Sequence, residues 1–174
     1  MSKQSIKSRV QLKLRPILRP VVRFFAYFFY NTHFVDGDNS RVVIGERCGL
    51  ANTLFSVASG NIHVGDFTIF GYNVMLLTGR HQFIEGRRAS LNNKNISESS
   101  WGGGNVEVPS SGFDIVIGSG CWVASGAIIQ GGVTIGDNVI VMANAVVTKN
   151  VPDYAIVAGI PAVMIGDTRE IHEN

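Results

Sequence analysis

The stretch that decides the fold, residues 117–166, reads IGSGCWVASGAIIQGGVTIGDNVIVMANAVVTKNVPDYAIVAGIPAVMIG. A large apolar residue recurs there every six positions, and a small or β-branched residue follows each one four places later. Six consecutive matches are very unlikely to arise by chance. The large residues are Ile117, Val123, Ile129, Ile135, Val141 and Val147, and their companions are Cys121, Ala127, Val133, Val139, Ala145 and Val151.

The same repeat runs earlier through Val64, Phe70 and Leu76, and an incomplete copy starts at Ile44. A period of six indicates one short strand and one turn, with the apolar side chain pointing inward each time. Three such sides close a triangular coil, and stacked coils bury a continuous core. The sequence therefore predicts an all-β fold, a parallel β-helix of hexapeptide repeats. The alternative, a sandwich of short strands, would show period-two alternation. Gly often follows the large residue, as at Gly118, and we expect Gly or Asn to relax the corners of the coil.

The 174 residues fit one domain with additions. Residues 1–35 are predicted to form a basic amphipathic helical tail, interrupted at Pro16 and Pro20. Residues 36–174 form the β-helix, whose strands we expect from about Val42 onward. Residues 79–114 drop the repeat and form a long loop excursion, and a loop of that length in a compact domain is usually functional.

Charge divides the chain into a basic tail and an acidic body. Residues 1–30 carry seven basic residues and no acidic one, whereas the rest carries 8 basic and 13 acidic residues. A basic tail beside the aromatic run FFAYFFY favours peripheral contact with an anionic membrane surface over nucleic acid, and an amphipathic cap on the first coil or on a partner subunit is the alternative. Cys48 and Cys121 form no disulfide framework, which favours a cytoplasmic location. Val21–Tyr30 is too short and too charged to span a bilayer.

The stretch at 117–166, with VGDFTIFGYNVMLLTGRH at residues 64–81, resembles galactoside and maltose O-acetyltransferases and related polysaccharide acetyltransferases. The resemblance implies a left-handed β-helix, acetyl-CoA as donor and co-substrate, and a homotrimer with sites between subunits. It places the catalytic base on His81 and an acceptor-binding Asn on Asn52. The coenzyme groove falls on Trp122, Ser125, Ala143, Thr148 and Lys149.

Two departures from the family pattern stand out. Arg80 occupies the position before His81 where the family usually has Gly, and Val163 follows the AGIPA motif where a basic residue is common. Lys149 and Arg169 are then the cations left to meet the phosphates of the coenzyme. Trp101, in a polar Gly-rich stretch, has no core to join, so we expect it to stack on the acceptor sugar or to contact a neighbouring subunit.

Transfer of an acetyl group to a sugar hydroxyl needs a base that works near pH 7, and His suits that task. Glu85, Glu107 and Asp114 each remain candidates to orient His81, and backbone N–H groups near Trp122–Ser125 are expected to stabilise the oxyanion. His63 lies 18 residues before His81 and could stack on it. No metal is expected, because His33 and His172 are out of register with the coils.

The leading functional hypothesis is O-acetylation of a sugar, in cell-surface polysaccharide or lipopolysaccharide biosynthesis. N-acetylation of a nucleotide-linked amino sugar is the second hypothesis. A non-catalytic trimeric scaffold is the third, and it would have no use for His81 in an otherwise solvent-facing turn.

Overall fold

The computed structural model describes residues 18–22, 24–25, 33–81, 83–84, 86–88 and 108–171. Residues 18–22 and 24–25 are helical, with exposed side chains. From Phe34 onward the chain winds into triangular coils, whose sides stack into three parallel sheets. A six-residue strand at the C-terminal end adds the antiparallel edge of one sheet.

The three sheets are called A, B and C in the order in which each coil visits them. Sheet A holds β1 (Phe34–Asp36), β3 (Leu54–Ser56), β6 (Met75–Leu77), β11 (Ile128–Gln130) and β14 (Val146–Val147). Sheet B holds β2 (Val42–Ile44), β4 (Ile62–Val64), β9 (Ile115–Ile117) and β12 (Thr134–Ile135). Sheet C holds β5 (Ile69–Phe70), β10 (Trp122–Val123), β13 (Ile140–Val141), β15 (Ala155–Gly159) and β16 (Ala162–Asp167). The hairpin β7 (Phe83–Ile84) and β8 (Arg87–Arg88) stands apart, and 3₁₀ turns span Asn39–Arg41 and Thr168–Glu170.

The repeat positions form the core, which confirms the predicted β-helix. All six large residues between Ile117 and Val147 are at most 1% exposed, and their companions between Cys121 and Val151 are at most 7% exposed. Strands β1 to β14 are each only two or three residues long. The apolar side chain of each repeat therefore stabilises its side of the coil by packing into the core.

The expected relaxation of the corners by Gly or Asn is confirmed, but the Gly directly after the large residue serves close packing instead. A Cβ on Gly118 would lie 2.6 Å from the carbonyl carbon of Gly136, and one on Gly65 would lie 2.6 Å from the carbonyl carbon of Gly118. These glycines thus let adjacent coils touch backbone to backbone. Left-handed backbone conformations occur a few residues away, at Asn52, Asn73, Asn138 and Asn144.

The excursion is inserted between sheet A and sheet B of one coil. Val116 pairs with Thr134 18 residues later, as an uninterrupted coil requires, but His63 and Val116 are paired across 53 residues. The chain leaves after β6 and returns at β9. The β7–β8 hairpin lies within this excursion, a detail that the loss of the repeat did not predict.

The first strand begins at Phe34, earlier than the repeat pattern indicated. Phe34–Asp36 pairs with Leu54–Ser56, and the His33 ring makes an edge contact with the core residue Phe55 at 5.6 Å. The pattern missed this strand because only Val35 faces the core, and it is only half-buried.

Candidate functional site

The two ends of the excursion are held together at the corner between sheets A and B, called here the A/B corner. Ser59, a buried residue at this corner, donates its N–H to Thr78 Oγ1 at 3.0 Å. The Ser59 carbonyl accepts from Phe113 N–H at 3.1 Å, and Ser59 Oγ accepts from Arg80 N–H at 3.4 Å. One buried serine therefore contacts the outgoing stem and the returning stem.

The returning stem has a second anchor, which involves Arg41. Its guanidinium donates to the Val57 carbonyl at 2.7 Å, to Asn61 Oδ1 at 3.1 Å and to the Ser110 carbonyl at 2.9 Å. Asp114 Oδ1 accepts from Asn61 N–H at 2.7 Å. These hydrogen bonds tie residues before β9 to the preceding coils. Sequence analysis missed Ser59 and Arg41, because neither occupies a repeat position.

A cavity of about 380 Å³ opens at the A/B corner beside the outgoing stem. His81 follows directly after its wall residue Arg80, and the His81 side chain is exposed. The anchored stem thus places the exposed His81 one residue beyond the wall of a space large enough for a small ligand. The cavity is lined by Leu77, Thr78, Gly79, Arg80, Phe113, Ile128, Gln130 and Gly131.

The structure divides the predicted coenzyme residues between two corners. Thr148 and Lys149 follow β14 at the A/B corner, the corner that carries His81 two coils away. Ser125 and Ala143 lie at the corner between sheets C and A, the C/A corner, where Asn144 N–H donates to the Ser125 carbonyl at 3.0 Å. The three-residue strands of sheet A separate the corners by about 10 Å. Trp122 lies on the outer face of sheet C and is 46% exposed.

Asn52 also lies at the C/A corner, at the opposite end of sheet A from His81. Its backbone has φ of 62°, and its amide donates to Asn73 Oδ1 at 2.8 Å. This asparagine therefore supports the turn column in which it lies. Within one chain the structure does not bring Asn52 and His81 together.

Backbone pairing tests two other expectations about the site. His63 pairs with Val116 and Val43 in sheet B and is exposed, as a surface residue would be. It does not stack on His81, because the excursion begins before the coil returns to sheet B. The backbone N–H groups of Trp122 and Ala124 donate to the carbonyls of Val139 and Val141, respectively. These two N–H groups are therefore not available to stabilise the oxyanion.

The carboxylate proposed to orient His81 is not settled by geometry. Asp114 uses one oxygen to accept from Asn61. The other two candidate carboxylates, Glu85 and Glu107, lie outside the described residues. Trp101, which was expected to stack on the acceptor sugar or to contact a neighbouring subunit, also lies outside them. Within the described part of the chain, no group of three His, Cys, Asp or Glu side chains is arranged to hold a metal ion.

The cations available for the coenzyme differ in their surroundings. Arg169 forms an ion pair with Asp167 at 2.6 Å, which lowers the pKa of the Asp167 carboxyl to about 2, and its guanidinium lies 4.7 Å from the Tyr154 ring centroid. Val163 is 60% exposed on β16, opposite Ala158. Lys149 is exposed at the A/B corner. Because Arg169 already has a counter-ion, Lys149 is the better candidate for a phosphate contact.

Comparison with known proteins agrees with this architecture. The sequence model of the bacterial transferase hexapeptide (six repeats) family matches residues 114–149. The chain is 30% identical over 130 residues to a putative colanic acid biosynthesis acetyltransferase of Escherichia coli K12, covering 75% of this chain and 60% of that protein. It is 43% identical over 61 residues to galactoside O-acetyltransferase of the same strain, covering 35% and 29% of the two chains. A solved galactoside acetyltransferase in complex with coenzyme A superposes with a TM-score of 0.60 at 28% identity, covering 77% of this chain and 58% of that one.

The fold and the matched repeats define a left-handed parallel β-helix of hexapeptide repeats. Residues 114–149 carry the bacterial transferase hexapeptide repeat, and the chain is similar to the acetyltransferases described above. It spans between about three tenths and three fifths of the length of the curated relatives described above.

Proposed function

We propose that this protein transfers the acetyl group of acetyl-CoA to a hydroxyl of a sugar, with His81 as the base. The observation that carries the proposal is the exposed His81 imidazole on an anchored stem beside the A/B cavity. The match to a putative colanic acid biosynthesis acetyltransferase supports a cell-surface polysaccharide, or its precursor, as the acceptor.

In the proposed reaction, His81 removes the proton of the acceptor hydroxyl as its oxygen attacks the thioester carbonyl. The tetrahedral intermediate collapses with cleavage of the carbon–sulfur bond. The departing thiolate takes the proton from the imidazolium, which leaves His81 neutral, an acetyl ester on the sugar and free coenzyme A. His is suited to both transfers, because its ordinary pKa lies near neutral pH.

A screen of sugar acceptors tests this function directly. Purified protein is mixed with acetyl-CoA and one acceptor at a time, and the release of coenzyme A thiol is followed. We expect acceptor-dependent thiol release with at least one sugar. Absence of acceptor-dependent release across neutral, amino and acidic sugars would contradict the proposal.

We further propose that the active assembly is a homotrimer, because the candidate residues lie at two corners of one chain. If the C/A corner of one subunit lies beside the A/B corner of the next, Ser125 and Ala143 join Lys149 and His81 in one groove. Light scattering is expected to give three times the chain mass.

Mixed trimers test the shared groove more sharply. His81→Ala and Ala143→Trp are each expected to be inactive alone, since one lacks the base and the other fills the groove. Trimers assembled from both variants contain intact interfaces and are expected to recover part of the activity. A fully active monomer, or no recovery in mixed trimers, would rule out sites built between subunits.

Lys149→Ala is expected to raise the KM for acetyl-CoA about 5- to 100-fold, because one charge-assisted phosphate contact is lost. The turnover at saturating donor should change little, since a contact far from the thioester is the same in ground and transition states. Val163→Arg should lower this KM if the phosphate lies where relatives carry a basic residue. An unchanged KM in both variants would place the nucleotide end of the coenzyme elsewhere.

The basic tail is proposed to contact an anionic membrane surface. Leu18, Val21, Val22 and Phe24 are 48–66% exposed in the helical segment, next to Arg19. In the described ranges no helix has both the length and the apolar character to cross a bilayer. We expect the full-length protein to co-sediment with phosphatidylserine vesicles, and we expect the bound fraction to fall as salt is added, because salt screens the attraction. Failure of the full-length protein to bind, at low salt, would favour the tail as a packed cap.

A further inference from the structure

The A/B cavity contains a positive charge whose position suggests a role. Arg80 lines the cavity and directly precedes His81. Its guanidinium carbon lies 5.5 Å from the centroid of the Phe113 ring, and its backbone N–H donates to Ser59 Oγ. The backbone and the side chain of Arg80 are therefore both held by residues of the same corner.

The Arg80 guanidinium is available for a ligand. Within the part of the chain that the structure describes, no Asp or Glu forms an ion pair with Arg80, in contrast to Arg169, which is paired with Asp167. The cavity wall adds the exposed Gln130 and the backbone of Gly79 and Gly131, which are polar groups without charge. Residues 31–174 carry 8 basic and 13 acidic side chains, so this cation in the cavity wall lies in a part of the chain with net negative charge.

The position of this charge favours the acceptor over the donor as its ligand. A base must lie within hydrogen-bond reach of the acceptor hydroxyl, so the residue next to His81 lies close to the acceptor. In coenzyme A, the long uncharged pantetheine arm separates the phosphates from the thioester. A cation adjacent to the base is therefore poorly placed for those phosphates, whereas Lys149, two coils away, is better placed.

We propose that Arg80 forms an anion subsite that selects acceptor sugars bearing a carboxylate or a phosphate near the reacting hydroxyl. This inference rests on the proposed acetyl transfer. Guanidinium groups pair with both anions through two parallel N–H···O bonds, so the shared chemistry is an oxyanion that accepts through two of its oxygens. Gln130 is positioned in the same wall to contact the neutral hydroxyls of the sugar.

The test compares three acceptors that share a methyl glucoside ring and differ at C6: methyl glucoside, methyl glucuronide and methyl glucoside 6-phosphate. Binding to the full chain is measured by titration calorimetry and turnover by thiol release. The wild type is expected to bind one or both anionic sugars about 10-fold or more tightly than methyl glucoside, and the better anion identifies carboxylate or phosphate. Equal binding of all three sugars would overturn the subsite.

Arg80→Gln keeps a polar, though shorter, side chain and removes the charge. It is expected to weaken anionic binding about 10-fold while leaving the neutral sugar and the KM for acetyl-CoA nearly unchanged, and Arg80→Lys should restore part of the preference. Equal losses for charged and neutral sugars would instead assign Arg80 a purely structural role. If the charge-dependent binding is present but no sugar is acetylated, the subsite stands and the proposed reaction fails, so the two ideas are separable.

Discussion

His81→Ala is expected to lower the turnover of acetyl transfer by about 10²- to 10⁴-fold, the range typical for loss of a general base. The hydroxyl of a sugar is a weak nucleophile at neutral pH, so its oxygen attacks the thioester slowly unless the proton is removed. Because the His81 side chain is exposed, the substitution should leave thermal stability nearly unchanged. Steady-state kinetics with saturating donor and acceptor measure the effect.

The chain offers a matched control for this substitution. His63 is also an exposed histidine, but it lies on the outer face of sheet B, paired with Val43 and Val116 and away from the A/B cavity. His63→Ala is expected to keep wild-type turnover. Turnover of His81→Ala within a few fold of the wild type would exclude His81 as the base.

Ile129→Ala is expected to destabilise the protein by about 2–5 kcal/mol, the usual cost of truncating a large buried aliphatic side chain. Ile129 is 0% exposed in β11, where its strand is hydrogen-bonded between β6 and β14. The loss combines the transfer free energy of the removed methyl and methylene groups with the cavity that remains between coils. Urea unfolding followed by circular dichroism measures the change.

Ile165→Ala removes the same atoms from a 60% exposed position on the edge strand β16. This control is expected to cost less than about 1 kcal/mol, because little buried contact is lost. Equal destabilisation by the two substitutions would show that the six-residue pattern does not mark the core.

The repeat made most of the fold predictable from sequence. Each inward position, such as Ile117, Ile135 and Val147, occupies the same environment in every coil, so one rule predicts all of them. The role of Gly118 was not predictable from the repeat. The sequence shows that Gly recurs after the large residue, but it does not show that the backbone of Gly136 lies where a Cβ of residue 118 would be. The first strand, at Phe34–Asp36, was missed because it places a single residue toward the core.

The candidate site was less predictable, because it depends on contacts that do not repeat. Resemblance named His81, and the structure shows Ser59 and Arg41 anchoring the excursion through hydrogen bonds across up to 69 residues of sequence. No local pattern encodes such pairs. The sequence also did not show which corner carries each predicted coenzyme-binding residue. A six-residue spacing fixes which side chains face inward, but it does not determine which corners meet another subunit.

The central claim is that a sugar hydroxyl, through His81, receives the acetyl group of acetyl-CoA. The most direct measurement is the product formed from acetyl-CoA labelled with ¹³C in the acetyl group, identified by NMR and mass spectrometry. We expect one labelled acetyl ester on a sugar oxygen for each coenzyme A released, and we expect the His81→Ala variant to form far less of this ester. A labelled amide, or coenzyme A released without any acetylated sugar, would contradict it.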